Sequence, residues 1–116
     1  MKKAYKPEEI EKLFLGYVNS GDLDGIVSLF EDNAIVMTSP ETVARGKIEI
    51  RDSFAKILAD NPKFDSVSHR QPIVNGDIAL TSTKLPNGFV TVEVARKQAD
   101  GSWLWSIDQP VIAIEK

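Results

Sequence analysis

The sequence contains no cysteine and a single histidine, His69. The absence of cysteine excludes disulfide bonds, thiol nucleophiles and thiolate zinc sites. A single histidine excludes a metal site that takes several imidazole ligands from one chain. We therefore expect no bound metal and no cofactor, and a fold that rests on its hydrophobic core alone.

Long apolar runs and concentrated positive charge are also missing. No segment approaches the roughly 20 apolar residues that cross a bilayer, and the basic start lacks the apolar stretch of a signal peptide. The 14 Lys and Arg are interspersed with 17 Asp and Glu, for a net charge of −3. Without a basic stripe to neutralise phosphates, nucleic acid is not an expected partner. We expect a cytoplasmic protein with no membrane association.

Length and apolar content predict one domain. The 116 residues, 42% of them hydrophobic, fall in the common size range of a single domain with its own core. We found no internal repeat, linker or low-complexity segment, so the domain is predicted to span residues 1–116.

The first half of the sequence predicts three helices and two strands. Apolar residues from Ile10 to Val18 recur at helical spacing, and Tyr17 belongs to the same face. Gly21 is a predicted left-handed helix end, and Asp22 is a predicted N-cap for a second, short helix. Strands are predicted at 34–38 and 42–46, followed by a third helix at 47–59. Four residues of this helix are predicted to face the core: Ile50, Phe54, Ile57 and Leu58.

The second half is divided by turn residues at 75–76, 86–88 and 100–101. Strands are predicted near 64–74, 77–85, 89–98 and 103–112. Helices followed by an antiparallel meander predict an α+β fold.

Turn lengths set a strand register. Two-residue turns at 75–76 and 87–88 would place His69 opposite Ser82 and Ser82 opposite Glu93. A four-residue last loop would add Asp108, and this polar row would share its face with Leu80 and Ser106. The other face would carry Val90, Val92, Val94, Trp103, Trp105 and Ile107. Polarity alone leaves open which of the two faces points inward.

Several motifs, in their order along the chain, resemble the nuclear-transport-factor-2-like superfamily. These are the two helices joined through 21–24, the run 30–34 entering a strand, Arg45-Gly46 ahead of the third helix, and 100–103 with Asp108. The resemblance covers nearly the whole chain and is greatest to the SnoaL-like and ketosteroid-isomerase-like groups. It implies a cone-shaped, cystatin-like fold with an internal pocket and a homodimer through the outer sheet face.

The same resemblance assigns the two predicted faces. It places Glu93 and Asp108 in the pocket, and it implies that Val90, Val92, Val94, Trp103 and Trp105 form the dimer interface. It implies no single activity, because such folds host isomerases, cyclases, dehydratases, transport factors and association domains.

The steroid-isomerase pattern is matched only in part. Those enzymes carry a tyrosine on the first helix, an aspartate base after the first strand and an aspartic acid on a later strand. This sequence has Phe14 at the tyrosine position, Thr38 or Ser39 at the base position, and Glu93 at the later acid. The familiar base is therefore missing.

Three functions remain open from sequence. In the first, Glu93 and Asp108 act as acid and base on an apolar oxygenated molecule, assisted by His69 or Tyr17; in the second, the pocket only binds a ligand; in the third, the protein is a dimeric association domain. Alternatively, Glu93 pairs with Lys84 or Arg96, Asp108 with Arg70 or a backbone amide, and Tyr17 is a core residue. The predicted ligand-binding residues are Tyr17, Met37, Thr38, Leu80, Ser82 and Ser106.

Overall fold

The computed structural model describes residues 2–64 and 67–114, with side-chain environments described through Val111. Three helices precede most of a curved, eight-stranded, mainly antiparallel sheet, which confirms the predicted α+β class. The elements are α1 (Glu9–Ser20), α2 (Leu23–Val27), β1 (Phe30–Ser39), β2 (Thr42–Arg45), α3 (Gly46–Leu58), β3 (Ser68–His69), β4 (Ile73–Asn75), β5 (Ile78–Thr81), β6 (Thr83–Lys84), β7 (Phe89–Lys97) and β8 (Trp103–Ile114). Part of the strand predicted at 64–74, residues 65 and 66, lies outside the described residues.

The junction between α1 and α2 follows the local sequence. Gly21 takes the left-handed conformation, with φ of 71°, and ends α1 as predicted. Asp22 caps α2 as predicted, because its carboxylate accepts a 2.9 Å hydrogen bond from the Gly25 backbone N–H. The Tyr17 ring packs against Gly25, which ties α1 to α2.

The sheet runs in the order β2-β1-β8-β7-β5-β4, and only β1 and β8 are parallel among the paired strands. The helices pack on one face of it. An aromatic cluster joins the two layers, with ring centroids 5.5 to 5.7 Å apart, and it contains Phe14, Phe30, Phe54 and Trp105.

The predicted register between β5 and β7 is wrong by one residue. The loop before β7 has three residues, 86–88, with Gly88 at a φ of 91°, so Glu93 lies opposite Thr81 and not Ser82. The turn before β5 is Gly76-Asp77, because Gly76 takes the positive φ of 61°. In the separate pairing of β3 with β6, His69 lies opposite Thr83. The predicted four-residue polar row does not form.

The pairing of Glu93 with Asp108 is confirmed. The last loop is longer than predicted, since Lys97 pairs with Trp103, but a bulge at Val94 and Ala95 restores the register. At this bulge β8 has one residue more than β7, which reverses the alternation of inward and outward side chains along β8. Trp105 and Asp108 consequently face the same, interior side of the sheet.

This reversal corrects the predicted interface. Trp103, Trp105 and Val90 are buried within the single chain, at 6%, 1% and 1% exposure, and not on an outer face. Val92 and Val94 are only half-buried. Within α3, Ile50 and Phe54 are buried as predicted, and Ile57 is 48% exposed but lines the internal cavity.

Candidate functional site

A cavity of about 490 Å³ lies between α1, α3 and the interior face of β1, β7 and β8. Its wall is mainly apolar. Aromatic and aliphatic side chains form most of it, including Phe14, Phe54, Phe64, Trp105, Val36 and Met37. The volume falls in the range of small-molecule sites.

Three carboxylates interrupt this apolar wall: Glu11 from α1, Glu93 from β7 and Asp108 from β8. They are 7%, 3% and 6% exposed. Glu93 and Asp108 are brought together because they are paired neighbours on adjacent antiparallel strands. Glu11 joins them because α1 packs across this end of the sheet. We call these three side chains the acid cluster.

Hydrogen bonding distinguishes the members of the acid cluster. The Thr81 hydroxyl donates a 2.7 Å hydrogen bond to Glu93 Oε1, and Thr91 also hydrogen-bonds this carboxylate. No described residue donates a hydrogen bond to the carboxyl group of Glu11 or Asp108. The carboxyl groups of Glu11 and Asp108 thus differ from that of Glu93, which has two hydroxyl partners.

The pKa values of the acid cluster are all raised. Burial raises the pKa of Glu11 to about 8, with the neighbouring Glu93 adding to the shift. Burial also raises the pKa of Asp108 well above its usual range, and the charges of Glu93 and Glu11 raise it further. Burial raises the pKa of Glu93, while hydrogen bonds from Thr91 and Thr81 act in the opposite direction. At neutral pH the cluster therefore holds protons that it can donate.

The predicted site residues divide between the cavity and the rest of the molecule. Glu93, Asp108, Met37 and Thr38 line the cavity. Tyr17 is instead a packing residue against Gly25.

Four other predicted site residues do not line the cavity. His69 is exposed on β3, and its pKa is lowered by partial burial and by Lys12. Leu80 is 43% exposed. The Ser82 hydroxyl donates to the Thr91 carbonyl, and Ser106 hydrogen-bonds Glu31. These predictions were wrong because they depended on the register and alternation that the loop and the bulge change.

The alternative pairing of Glu93 with Arg96 is also wrong. Arg96 lies on the opposite side of β7 and forms an ion pair with Glu31 at 3.2 Å. Neither Lys84 nor Arg70 contributes to the pKa shifts of Glu93 and Asp108, although each has another interaction.

Sequence reasoning missed Glu11, although a signal for it was present. Glu11, Phe14, Leu15 and Val18 follow the i, i+3, i+4, i+7 spacing, and all four line the cavity. The predicted apolar face of α1, from Ile10 to Val18, was defined by apolar residues alone and therefore left Glu11 out.

Two further findings bear on the chemistry of the site. The indole ring of Trp105 lines the cavity, and its buried Nε1–H has no acceptor among the described residues. In the described part of the chain, no group of three or more His, Cys, Asp or Glu side chains is arranged to hold a metal ion. Within those same residues, no helix has the length and apolar character needed to span a membrane.

The position where steroid isomerases carry their base holds hydroxyl groups. Thr38 Oγ1 and Ser39 Oγ lie 2.6 and 2.7 Å from Thr42 Oγ1. The hydroxyls at the end of β1 are thus engaged with one another, and the ionisable groups of the cavity are the acid cluster alone among the described residues.

Solved structures share this fold at low sequence identity. A candidate calcium/calmodulin-dependent protein kinase type II association domain from Thiobacillus denitrificans superposes with a TM-score of 0.78 and 16% identity, covering 96% of this chain and 99% of that one. A ketosteroid isomerase-like protein from Erwinia carotovora atroseptica superposes with a TM-score of 0.71 and 17% identity, covering 88% of this chain and 89% of that one. A candidate dehydratase of the NTF2-like family from Streptomyces avermitilis superposes with a TM-score of 0.68 and 18% identity, covering 91% of this chain and 94% of that one.

No curated protein matches the chain in sequence. A protein-family model, however, matches most of it. The SnoaL-like domain model matches residues 10–108. This range includes all three helices except the first residue of α1, most of the cavity lining and the whole acid cluster. The chain therefore belongs to the SnoaL-like domain family.

Proposed function

We propose that the cavity binds a small, mainly apolar, oxygenated molecule and that the acid cluster moves a proton on it, as an isomerase, cyclase or dehydratase requires. The observation that carries the proposal is the burial of three carboxyl groups in the wall of an apolar cavity of about 490 Å³. Burying such groups is costly for folding, so a site that retains three of them without a countercharge has a reason other than stability.

The surroundings of each carboxyl group support separate roles for Glu93 and Asp108. Hydrogen bonds from Thr81 and Thr91 favour the ionised form of Glu93, so it is the better proton acceptor. Asp108 has the charges of Glu93 and Glu11 beside it and retains its proton, so it is the better donor. Glu93 would take a proton from carbon while Asp108 donates one to the ligand oxygen.

The family and fold are compatible with this chemistry. Two of the structural neighbours are described as ketosteroid isomerase-like and as a candidate dehydratase. The proposal for this chain differs in one respect, because the end of β1 carries Thr38 and Ser39 at the base position and the proposed base comes from β7.

An enolisable apolar ketone tests the proposal directly. We expect the protein to accelerate exchange of the α-protons of 2-tetralone in D₂O, followed by proton NMR. The variants Glu93→Gln and Asp108→Asn should each lower the exchange rate about 100-fold or more, the usual contribution of a general acid or base. Calorimetric titration should show that both variants still bind the ketone.

Asp77→Asn is the matched control, since Asp77 is an exposed acid in the turn before β5. Exchange that is equally fast in the wild type and both cavity variants would contradict the proposed chemistry. Binding without any exchange would indicate the second function, a ligand-binding module.

A second proposal, self-association through the outer sheet face, rests on a separate observation. Ile73, Leu80, Val94 and Ile107 are consecutive neighbours across β4, β5, β7 and β8. Three of them, Ile73, Leu80 and Ile107, are 67%, 43% and 52% exposed. A contiguous apolar row of this kind is typical of a protein interface. We propose that a second copy of the chain covers it, and the fold it shares with a candidate association domain supports this.

Lysine in this row should separate the copies. We expect Ile107→Lys to convert a dimer to a monomer, measured by size-exclusion chromatography with light scattering, because it places a charge in an apolar contact. Ile48→Lys is the control, because Ile48 is 80% exposed on α3, on a different element. A dimer that survives the Ile107 substitution at low micromolar concentration would contradict the proposed interface.

A further inference from the structure

Among the described residues, the ionisable side chains that line the cavity are all acidic. Glu11, Glu93 and Asp108 contribute three carboxyl groups, whereas no lysine, arginine or histidine of the described residues lines the wall. Each carboxyl group is more than nine-tenths buried, and no described residue donates a hydrogen bond to two of them, Glu11 and Asp108. The protein itself thus supplies protons, but no cation, to this cluster.

The aromatic part of the cavity wall also favours a positively charged ligand. Four aromatic rings line the cavity, those of Phe14, Phe54, Phe64 and Trp105. The face of an aromatic ring carries partial negative charge and attracts cations, most strongly where water is excluded. Aromatic faces and carboxylates therefore attract the same kind of ligand charge.

From these two observations we infer that the ligand of this cavity carries a protonated amine on its apolar, oxygenated body. The inference rests on the proposed function and names its substrate class. The ammonium group would lie beside Glu11, so that Glu93 and Asp108 keep their proposed roles as proton acceptor and donor, and the hydrocarbon part would lie against the aromatic rings.

The alternatives fit the cavity less well. An anionic ligand would add negative charge to a site whose described lining includes no positive side chain. A neutral ligand would bring no charge to favour the ionised form of a buried carboxyl group. An ammonium group supplies both the countercharge and the hydrogen-bond donors that Glu11 lacks.

Binding of a cation should be linked to protonation. The groups that face the acid cluster are its own three carboxyls, from α1, β7 and β8, and the hydroxyls of Thr81 and Thr91. The lining residues of α3 and β1 include no ionisable side chain. An ammonium ligand stabilises the ionised form of Glu11, so its binding releases a proton and its affinity increases with pH until Glu11 is ionised.

Three ligands with one carbon skeleton test this inference by calorimetric titration: 2-aminotetralin, 2-tetralone and tetralin-2-carboxylate. We expect the amine to bind at least tenfold more tightly than the ketone at pH 8, and the carboxylate to bind least. From pH 6 to pH 8 the affinity for the amine should increase at least tenfold, while that for the ketone stays constant or falls. Titrations in buffers of different ionisation enthalpy should show proton release on amine binding.

Glu11→Gln provides the variant arm, because Glu11 lines the cavity and is neither the proposed donor, Asp108, nor the proposed acceptor, Glu93. At pH 8 it should lower the affinity for the amine at least fivefold more than the affinity for the ketone. The proton-release measurement uses the wild type alone, so it decides the question even if the variant folds poorly.

The outcomes separate this inference from the proposed function. If the ketone binds and exchanges its protons while the amine binds no more tightly than the ketone, the amine inference is wrong and the proposed function stands. Amine binding without proton release also overturns the inference. If none of the three ligands binds, both proposals are wrong.

Discussion

The Glu11→Gln protein should be more stable than the wild type at pH 9, by on the order of 4 kcal/mol. The pKa of Glu11 is raised from 4.5 to about 8 in the folded state, and each unit corresponds to about 1.4 kcal/mol. Because the folded pKa is the higher one, folding favours the protonated form. The associated stability is fully present below about pH 4.5 and is lost as the pH rises through about 8. Glutamine stays neutral, so the variant avoids this loss.

Urea unfolding of both proteins at pH 5, 7 and 9 provides the measurement. The two free energies of unfolding should be similar at pH 5 and diverge as the pH increases. Glu41→Gln is the control, because Glu41 is exposed in the turn between β1 and β2. A wild-type stability that does not fall between pH 5 and 9 would contradict the burial of an uncompensated acid at this position.

Gly25→Ala should destabilise the protein by about 2 kcal/mol or more, and lower the melting temperature by roughly 10 °C. A Cβ atom on Gly25 would lie 2.4 Å from a ring carbon of Tyr17, well inside contact distance. Either the ring or α2 must move, which disrupts the packing of α1 against α2. This loss exceeds the gain of about 1 kcal/mol that alanine normally brings to a helix.

Gly16→Ala is the matched control for Gly25→Ala. Gly16 lies in α1, and a Cβ atom there meets no other atom within 4 Å. The same substitution should therefore stabilise the protein by about 0.5–1 kcal/mol. Calorimetric melting should give shifts of opposite sign for the two variants. In a Tyr17→Ala background, Gly25→Ala should lose most of its effect, and an unchanged effect would show that the ring is not the cause.

The Tyr17 contact also illustrates a limit of sequence reasoning. The sequence indicates only that Gly25 has a low helix propensity. Which side chain occupies the space left by the missing Cβ depends on the angle between α1 and α2. That angle follows from the left-handed turn at Gly21 and from the core beneath both helices.

The candidate site was predictable in part. The pairing of Glu93 with Asp108, and their inward orientation, agree with the sequence prediction. Two errors compensated there, since the longer last loop and the bulge shift the register in opposite directions. The same bulge moved Trp103 and Trp105 from the predicted interface into the core. Neither a bulge nor a three-residue loop leaves a reliable mark in the alternation of residues, and each changes which side chains face inward.

The sequence by itself determined the order of helices and strands, the helix ends at Gly21 and Asp22, and the α+β class, because these depend on periodicity and on residues close together in the chain. Only the tertiary structure decided which side chains share the cavity. The acid cluster joins residues 11, 93 and 108, from a helix and two strands. Their proximity depends on strand register and on the packing of α1 across the sheet, both of which involve contacts between distant parts of the chain.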